Sequence, residues 1–117
     1  MINDIAQLHV QALPHTLSSR IGVKFVQFLY QVVSIVGFVE IIKKNGVLVG
    51  VISGIGGFVL TVAVEPSWQH KGIGSELIGN RKGKLFVYTE EKSFGFYIKQ
   101  GFEQIFRLGR TIFLWRK

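Results

Sequence analysis

The sequence predicts an α/β (α+β) domain, layered, with a mostly antiparallel sheet flanked by helices, in the order α-α-β-β-β-α-β-α-β-β. Three observations carry this. Apolar residues recur at helical spacing up to about residue 32, and the chain then changes to β-branched runs joined by an Asn-Gly turn. Two later helical stretches each lie between strand-like segments. All 117 residues fit one domain, because no linker, repeat or low-complexity tract divides them. At 48% hydrophobic residues with ten Phe, the chain can fill a core and is not expected to be disordered.

The first helix is predicted to open at Asn3 as its cap, to carry Ile5, Leu8, Ala12 and Leu13 on one face, and to end at Pro14. A second follows from Thr16 or Ser18, with Ile21, Phe25, Phe28, Leu29 and Val32 along its apolar stripe. "GFVEIIKKNGVLVGVIS" reads as two strands around Lys43-Lys44-Asn45-Gly46, since Asn-Gly favours a tight hairpin. A turn at Gly54–Gly57 leads to a third strand, 58–64. A short helix with Ile73, Leu77 and Ile78 on its inner side should stop at Gly79-Asn80 or Gly83. Residues 84–88 read as a strand expected to pair parallel with 58–64 through a right-handed crossover. Ser93 is placed as the cap of a helix burying Phe94, Tyr97 and Ile98 and ending at Gly101. Two strands around Leu108-Gly109-Arg110 close the chain.

Composition removes several classes of function. With no cysteine there is no disulfide, thiolate metal site or Cys nucleophile, which suits a reducing, cytoplasmic location. His9, His15 and His70 form no ligand cluster with nearby carboxylates, so no metal is expected. Fourteen Lys and Arg against seven Asp and Glu give +7, a balance that favours anionic partners such as a polyphosphate. Nucleic acid is not the expected partner, because the basic residues lack the interleaved aromatics of a single-strand binding face. Val47–Val64 runs 18 residues without a charge, yet four glycines and many β-branched residues make it two strands rather than a membrane span. "MINDIAQLHVQ" lacks the basic start and apolar run of a signal peptide.

"WQHKGIGSEL", residues 68–77, is the stretch that points to chemistry. Its two glycines sit where a strand gives way to a helix, and helix N-termini offer unpaired N–H groups and partial positive charge to a phosphate. Glycine lets the backbone approach an anion without a Cβ in the way. A dinucleotide fingerprint is excluded, since Leu77 stands where its third glycine belongs, and no Gly-Lys-Ser/Thr follows to make a Walker loop. A glycine-eased strand–helix junction explains the same residues equally well when they are taken alone.

Two motifs change the balance. "VAVEPSWQHKGIGSEL" resembles the central motif of the GNAT superfamily of N-acetyltransferases, with Val64, Pro66, Gln69, Gly72 and Gly74 at the motif positions. "SFGFYIKQGF" is similar to that superfamily's second signature, with Phe96, Tyr97, Gly101 and Phe102 in place. The resemblance spans essentially the whole chain. It implies a GNAT fold that transfers acetyl from acetyl-CoA to the primary amine of an acceptor, small molecule or protein, by direct attack in a ternary complex. It implies that the backbones of Val62, Ala63 and Val64 pair with the pantetheine arm and polarise the thioester carbonyl. The N–H groups of His70, Lys71, Gly72, Ile73, Gly74 and Ser75 are implied to hold the pyrophosphate, and Tyr97 to protonate the leaving thiolate.

The chain also departs from that pattern. Counting eleven positions back from Gln69, where histone-type members carry a glutamate base, gives Phe58. Glu40 and Glu65 read as solvated strand ends, so the base is not assigned, and water with backbone carbonyls would serve equally. Glu90 stands where many members carry a cofactor-contacting Asn. Only nine residues, Ser75–Gly83, separate Gly74 from Lys84, and the usual first strand is missing. The open sheet edge makes a homodimer a candidate assembly. These trims also leave a CoA-binding module without catalysis as the alternative. Ser18, Ser19 and Arg20 open the second helix near the usual acceptor side, with helix capping the simpler role for Ser18.

Overall fold

A computed structural model describes residues 1–13 and 16–117. Helices α1 (Ile2–Ala12), α2 (Leu17–Ile21) and α3 (Val23–Val36) precede strands β1 (Phe38–Lys44), β2 (Val47–Ile55) and β3 (Phe58–Val64). A 3-10 turn, Pro66–Trp68, leads to α4 (Ile73–Gly79), and β4 (Leu85–Thr89), α5 (Glu91–Lys99), β5 (Glu103–Leu108) and β6 (Thr111–Arg116) follow. The six strands lie in the order β1-β2-β3-β4-β6-β5, antiparallel except for β3 beside β4. The fold class is the one expected, an α/β sheet with helices on both faces.

The sheet separates two cores. On one face α1 and α3 bury Ile5, Ala6, Leu8, Val26 and Tyr30 against Val51 and Ala63. On the other, α4 and α5 bring Ile73, Leu77, Ile78 and Tyr97 onto Ile52, Val59, Leu85, Val87, Ile112 and Leu114. Strands β1, β2 and β3 feed both cores because successive side chains point to opposite faces, whereas β4 and β6 feed only the α4/α5 side and β5 is exposed. The segment read as strands rather than a span forms β2 and β3, and no described helix is long and apolar enough to cross a membrane. The first hairpin turns at Asn45 and Gly46, both with positive φ, as Asn-Gly hairpins require.

Several local expectations are corrected. Asn3 does not cap α1, which begins at Ile2; its Oδ1 instead accepts from Gln27 Nε2 at 2.6 Å, tying α1 to α3. Pro14, the expected stop, lies outside the described residues, as does His15. The second predicted helix is two, broken at Gly22 with φ 133°. That break resets the helical phase, so Val26 and Tyr30 face the core while Ile21, Phe28 and Val32 are exposed. Thr16, not Ser18, caps α2, accepting from the Ser19 N–H. Helix α5 starts at Glu91, two residues before the expected cap Ser93, and Ile98 lies exposed rather than beside Tyr97.

Candidate functional site

The site begins where β3 and β4 part. Their parallel ladder holds one residue pair, Phe58 with Phe86, and the Phe86 N–H donates to the Gly57 carbonyl at 2.7 Å. A Cβ on Gly57 would lie 2.7 Å from the Lys84 carbonyl oxygen, so glycine is what lets the two chains meet there. Beyond that contact the strands diverge, and the Tyr88 hydroxyl reaches across to donate to the Leu60 carbonyl at 3.1 Å. The Glu65 N–H donates to Val49 of β2 at 2.8 Å, so strand alternation turns the Ala63 backbone toward β2 as well. The N–H and C=O groups of Val62 and Val64 therefore face the gap. The Val64 carbonyl already accepts from Gln69 Nε2 at 3.1 Å, which ties the loop before α4 to the strand end.

That loop is folded by two left-handed residues, His70 at φ 63° and Gly72 at φ 86°. Alternating hands of this kind turn successive N–H groups toward a common point, which suits an anion. Gly72 takes the N-cap position, and the Glu76 N–H makes the first intrahelical bond, to the Gly72 carbonyl at 3.0 Å. The N–H groups of Ile73, Gly74 and Ser75 precede it and have no carbonyl one turn back within the helix. His70, Lys71 and Gly72 are exposed, and Lys71 Nζ sits 5.2 Å from the Trp68 ring. The one acid in this turn, Glu76, pairs with Lys44 at 3.6 Å. Gly74 has a packing reason besides: a Cβ there would meet Phe96 at 3.1 Å, so α4 and α5 close on each other at this point. Ser75 is held from α5 by Gln100 at 2.9 Å.

Tyr97 projects from α5 into the core it shares with Val59 of β3 and Leu85 and Val87 of β4, and is 8% exposed, edge-on to Phe96 and Phe102. Burial first, and the neighbouring Tyr88 second, push its phenol up to about 12. It therefore stays protonated across the neutral range. Glu40 pairs with Arg81 at 3.3 Å, and the Glu65 carboxylate accepts from Ser67 at the following turn. Glu65 follows the end of β3 as expected, whereas Glu40 lies inside β1, opposite Ile52, rather than at a strand end. Glu90 is the exposed N-cap residue of α5, and Phe58 stacks on Tyr88.

On the α1/α3 face the gap meets a cavity of about 220 Å³ whose lining includes Leu60 and Tyr88. A chain of hydrogen bonds crosses it: Ser53 Oγ with Thr61 Oγ1 at 2.5 Å, Thr61 with the Tyr30 hydroxyl at 3.1 Å, Tyr30 with His9 Nδ1 at 2.8 Å, and His9 Nε2 with Ser18 Oγ at 3.3 Å. Burial lowers the His9 pKa below its usual value, which keeps the ring neutral at pH 7. Ser18 thus belongs to this chain, Ser19 is buried on Thr16, and Arg20 is exposed. Sequence reasoning did not single out Tyr30, Ser53, Thr61 or Tyr88. The signal for two of them was there, since Ser53 and Thr61 are polar residues inside otherwise apolar strands. Among the described residues no three His, Asp or Glu side chains gather as metal ligands.

Solved structures share this fold over nearly the full chain. The PaiA N-acetyltransferase of Thermoplasma acidophilum in complex with coenzyme A is 18% identical, with TM-score 0.77 over 99% of this chain and 92% of its own. A ribosomal-protein-alanine N-acetyltransferase from Brucella melitensis is 19% identical, with TM-score 0.73 over 98% and 93%. An aminoglycoside 6'-acetyltransferase type Ii is 17% identical, with TM-score 0.78 over 99% and 88%. At these identities the likeness is one of fold. No curated protein matches the chain significantly. The sequence model of the acetyltransferase (GNAT) domain matches residues 26–104, from α3 into β5, and the chain belongs to that family.

Proposed function

We propose that this protein transfers an acetyl group from acetyl-CoA to the primary amine of an acceptor by direct attack in a ternary complex. The observation that carries the reading is the β3/β4 gap with the left-handed loop before α4 tied to its edge by Gln69 and Val64, and a protonated Tyr97 in the core that α5 shares with β3 and β4 supports it. The residues suit acetyl-CoA. Val62 and Val64 offer backbone groups along the gap, and the N–H groups from His70 to Ser75, with Lys71 beside them, suit a pyrophosphate. Ala63 supports the edge from behind, its methyl in the α1/α3 core. A backbone N–H on β3 polarises the thioester carbonyl as charge develops on its oxygen. Tyr97 hands its phenolic proton to the departing sulfur, and no metal takes part in the scheme.

Thermal denaturation with and without acetyl-CoA tests the binding step. At a hundredfold excess over Kd, binding to the native state adds about 2.7 kcal/mol. That corresponds to a rise in Tm on the order of 10 °C for a domain of this size. Gly74→Glu should abolish the rise by steric block and like charge. Gly74→Ala places the same Cβ against Phe96 without the charge, and separates the packing cost from the loss of the phosphate seat. No rise for the wild-type chain would overturn the reading. A rise without acetyl transfer to any amine would leave a CoA-binding module.

A further inference from the structure

We propose that the cavity between α1, α3 and the sheet receives the acceptor, that the acceptor is a small, mainly apolar amine with no second positive charge, and that His9 takes its proton through Tyr30 and Thr61. This rests on the acetyltransferase reading above and deepens it.

Position is the first argument. Leu60 and Tyr88 line the cavity and also bridge the β3/β4 gap, so an amine inside lies beside the gap in which the thioester would be held. Size and chemistry give the second. About 220 Å³ is below the roughly 300–1,000 Å³ that holds drug-sized ligands. Val26, Leu29, Val33 and Leu60 supply apolar walls, and none of the seven carboxylates lines the space. A buried ammonium with no counter-charge is costly, and the net charge of +7 repels a polycation further. An amine that enters neutral, with one hydrocarbon or aromatic body, meets neither penalty.

The hydrogen bonds give the third. All run in one direction when each hydroxyl donates once: Ser53 to Thr61, Thr61 to Tyr30, Tyr30 to His9 Nδ1, and His9 Nε2–H to Ser18. The remaining lone pair of Thr61 is free to accept from the amine. As the amine nitrogen bonds to the thioester carbon, its proton passes to Thr61, the Thr61 proton to Tyr30, and the Tyr30 proton to His9. The C–S bond breaks, the sulfur takes the Tyr97 proton, and exchange with water restores imidazole and phenol. The products are the amide and the free thiol.

Among the described residues the groups that could perturb His9 are few. Tyr30 faces it from α3, and Tyr88 lines the same cavity from β4. Asp4 lies on its own helix, Lys24 of α3 and Arg20 of α2 are exposed, and β2 and β3 carry no titratable side chain.

The test measures thiol release from acetyl-CoA with 2-phenylethylamine, hexylamine, spermidine and kanamycin between pH 5 and 9, with acetyl-CoA affinity measured calorimetrically for every variant. The two monoamines should exceed the two polycations in kcat/KM by about 100-fold or more. His9→Gln should lower kcat about 10- to 100-fold with an unchanged acetyl-CoA Kd, and should remove the acidic limb of the kcat profile at saturating amine, to which ionisation of the free amine does not contribute. Tyr30→Phe keeps the ring packing and cuts the same chain, so it should reproduce the loss if the His9 variant folds poorly. Preference for spermidine or kanamycin, or an acidic limb that survives both variants, overturns the proposal while leaving acetyl transfer intact. Acetyl-CoA bound but no amine acetylated, or no acetyl-CoA bound, overturns the acetyltransferase reading together with it.

Discussion

Tyr97 shows how one residue can satisfy a core and a reaction together. Its ring is packed edge-on between Phe96 and Phe102, which alone would account for an aromatic here. Phenylalanine would pack equally well, so the hydroxyl is the part left for chemistry to explain. Tyr97→Phe should therefore keep the Tm of the apo protein within a few degrees while kcat falls on the order of 100-fold. Acetyl-CoA affinity should hold, because the phosphate loop is untouched. A variant with wild-type kcat would return Tyr97 to a packing role. This residue was legible in the sequence because it sits inside a motif. Tyr30 was not: its helix was read in the wrong phase, and the residue that set the phase, Gly22, looked like an ordinary interior position until its φ of 133° separated α2 from α3.

At the scale of elements, the site depends on how closely α4 lies on the sheet. Gly50 of β2 makes that approach, since a Cβ there would come within 2.6 Å of Ile73 Cγ2 and 3.1 Å of Leu77 Cδ1. Ile73 is the first residue of α4 and Leu77 lies one turn on, so pushing them moves the N–H groups that face the ligand. Gly50→Val should cost about 1–3 kcal/mol through overpacking and weaken acetyl-CoA more than it weakens a substitution-matched surface control. Calorimetric titration beside a urea unfolding curve checks both halves, and unchanged affinity in a destabilised protein would separate α4 packing from the ligand seat. The sequence placed the first hairpin through Asn45-Gly46, but it set the second turn at Gly54–Gly57, whereas β2 runs on through Gly54 and Ile55 and only Gly56-Gly57 turns. It could not carry the reason for Gly50. That glycine reads as a small residue in an apolar strand until the helix above it is in place. The cavity was hidden for the same reason, since its lining comes from α1, α2, α3, β2, β3 and β4 and no local pattern joins them.

For the whole molecule, two cores on opposite faces of one sheet each bury a tyrosine, and both phenols are pushed up to about 12, chiefly by burial. In the unfolded chain each returns to about 10. Below pH 10 both states hold the proton and the tyrosines leave stability unaffected by pH. Between 10 and 12 the unfolded state releases protons that the folded state retains, so stability falls as pH rises, by up to about 1.4 kcal/mol per pH unit for each tyrosine. Since β2 and β3 belong to both cores, loosening either face loosens the other, and the loss should appear as one cooperative transition rather than two. Unfolding curves at pH 9, 10 and 11 should show the wild-type chain losing stability faster than Tyr97→Phe, and faster still than the double variant with Tyr30→Phe. Comparing slopes rather than absolute values removes the contribution of lysines, which titrate in the same window in every variant. Parallel slopes for all three proteins would mean that neither phenol carries the alkaline sensitivity of the fold.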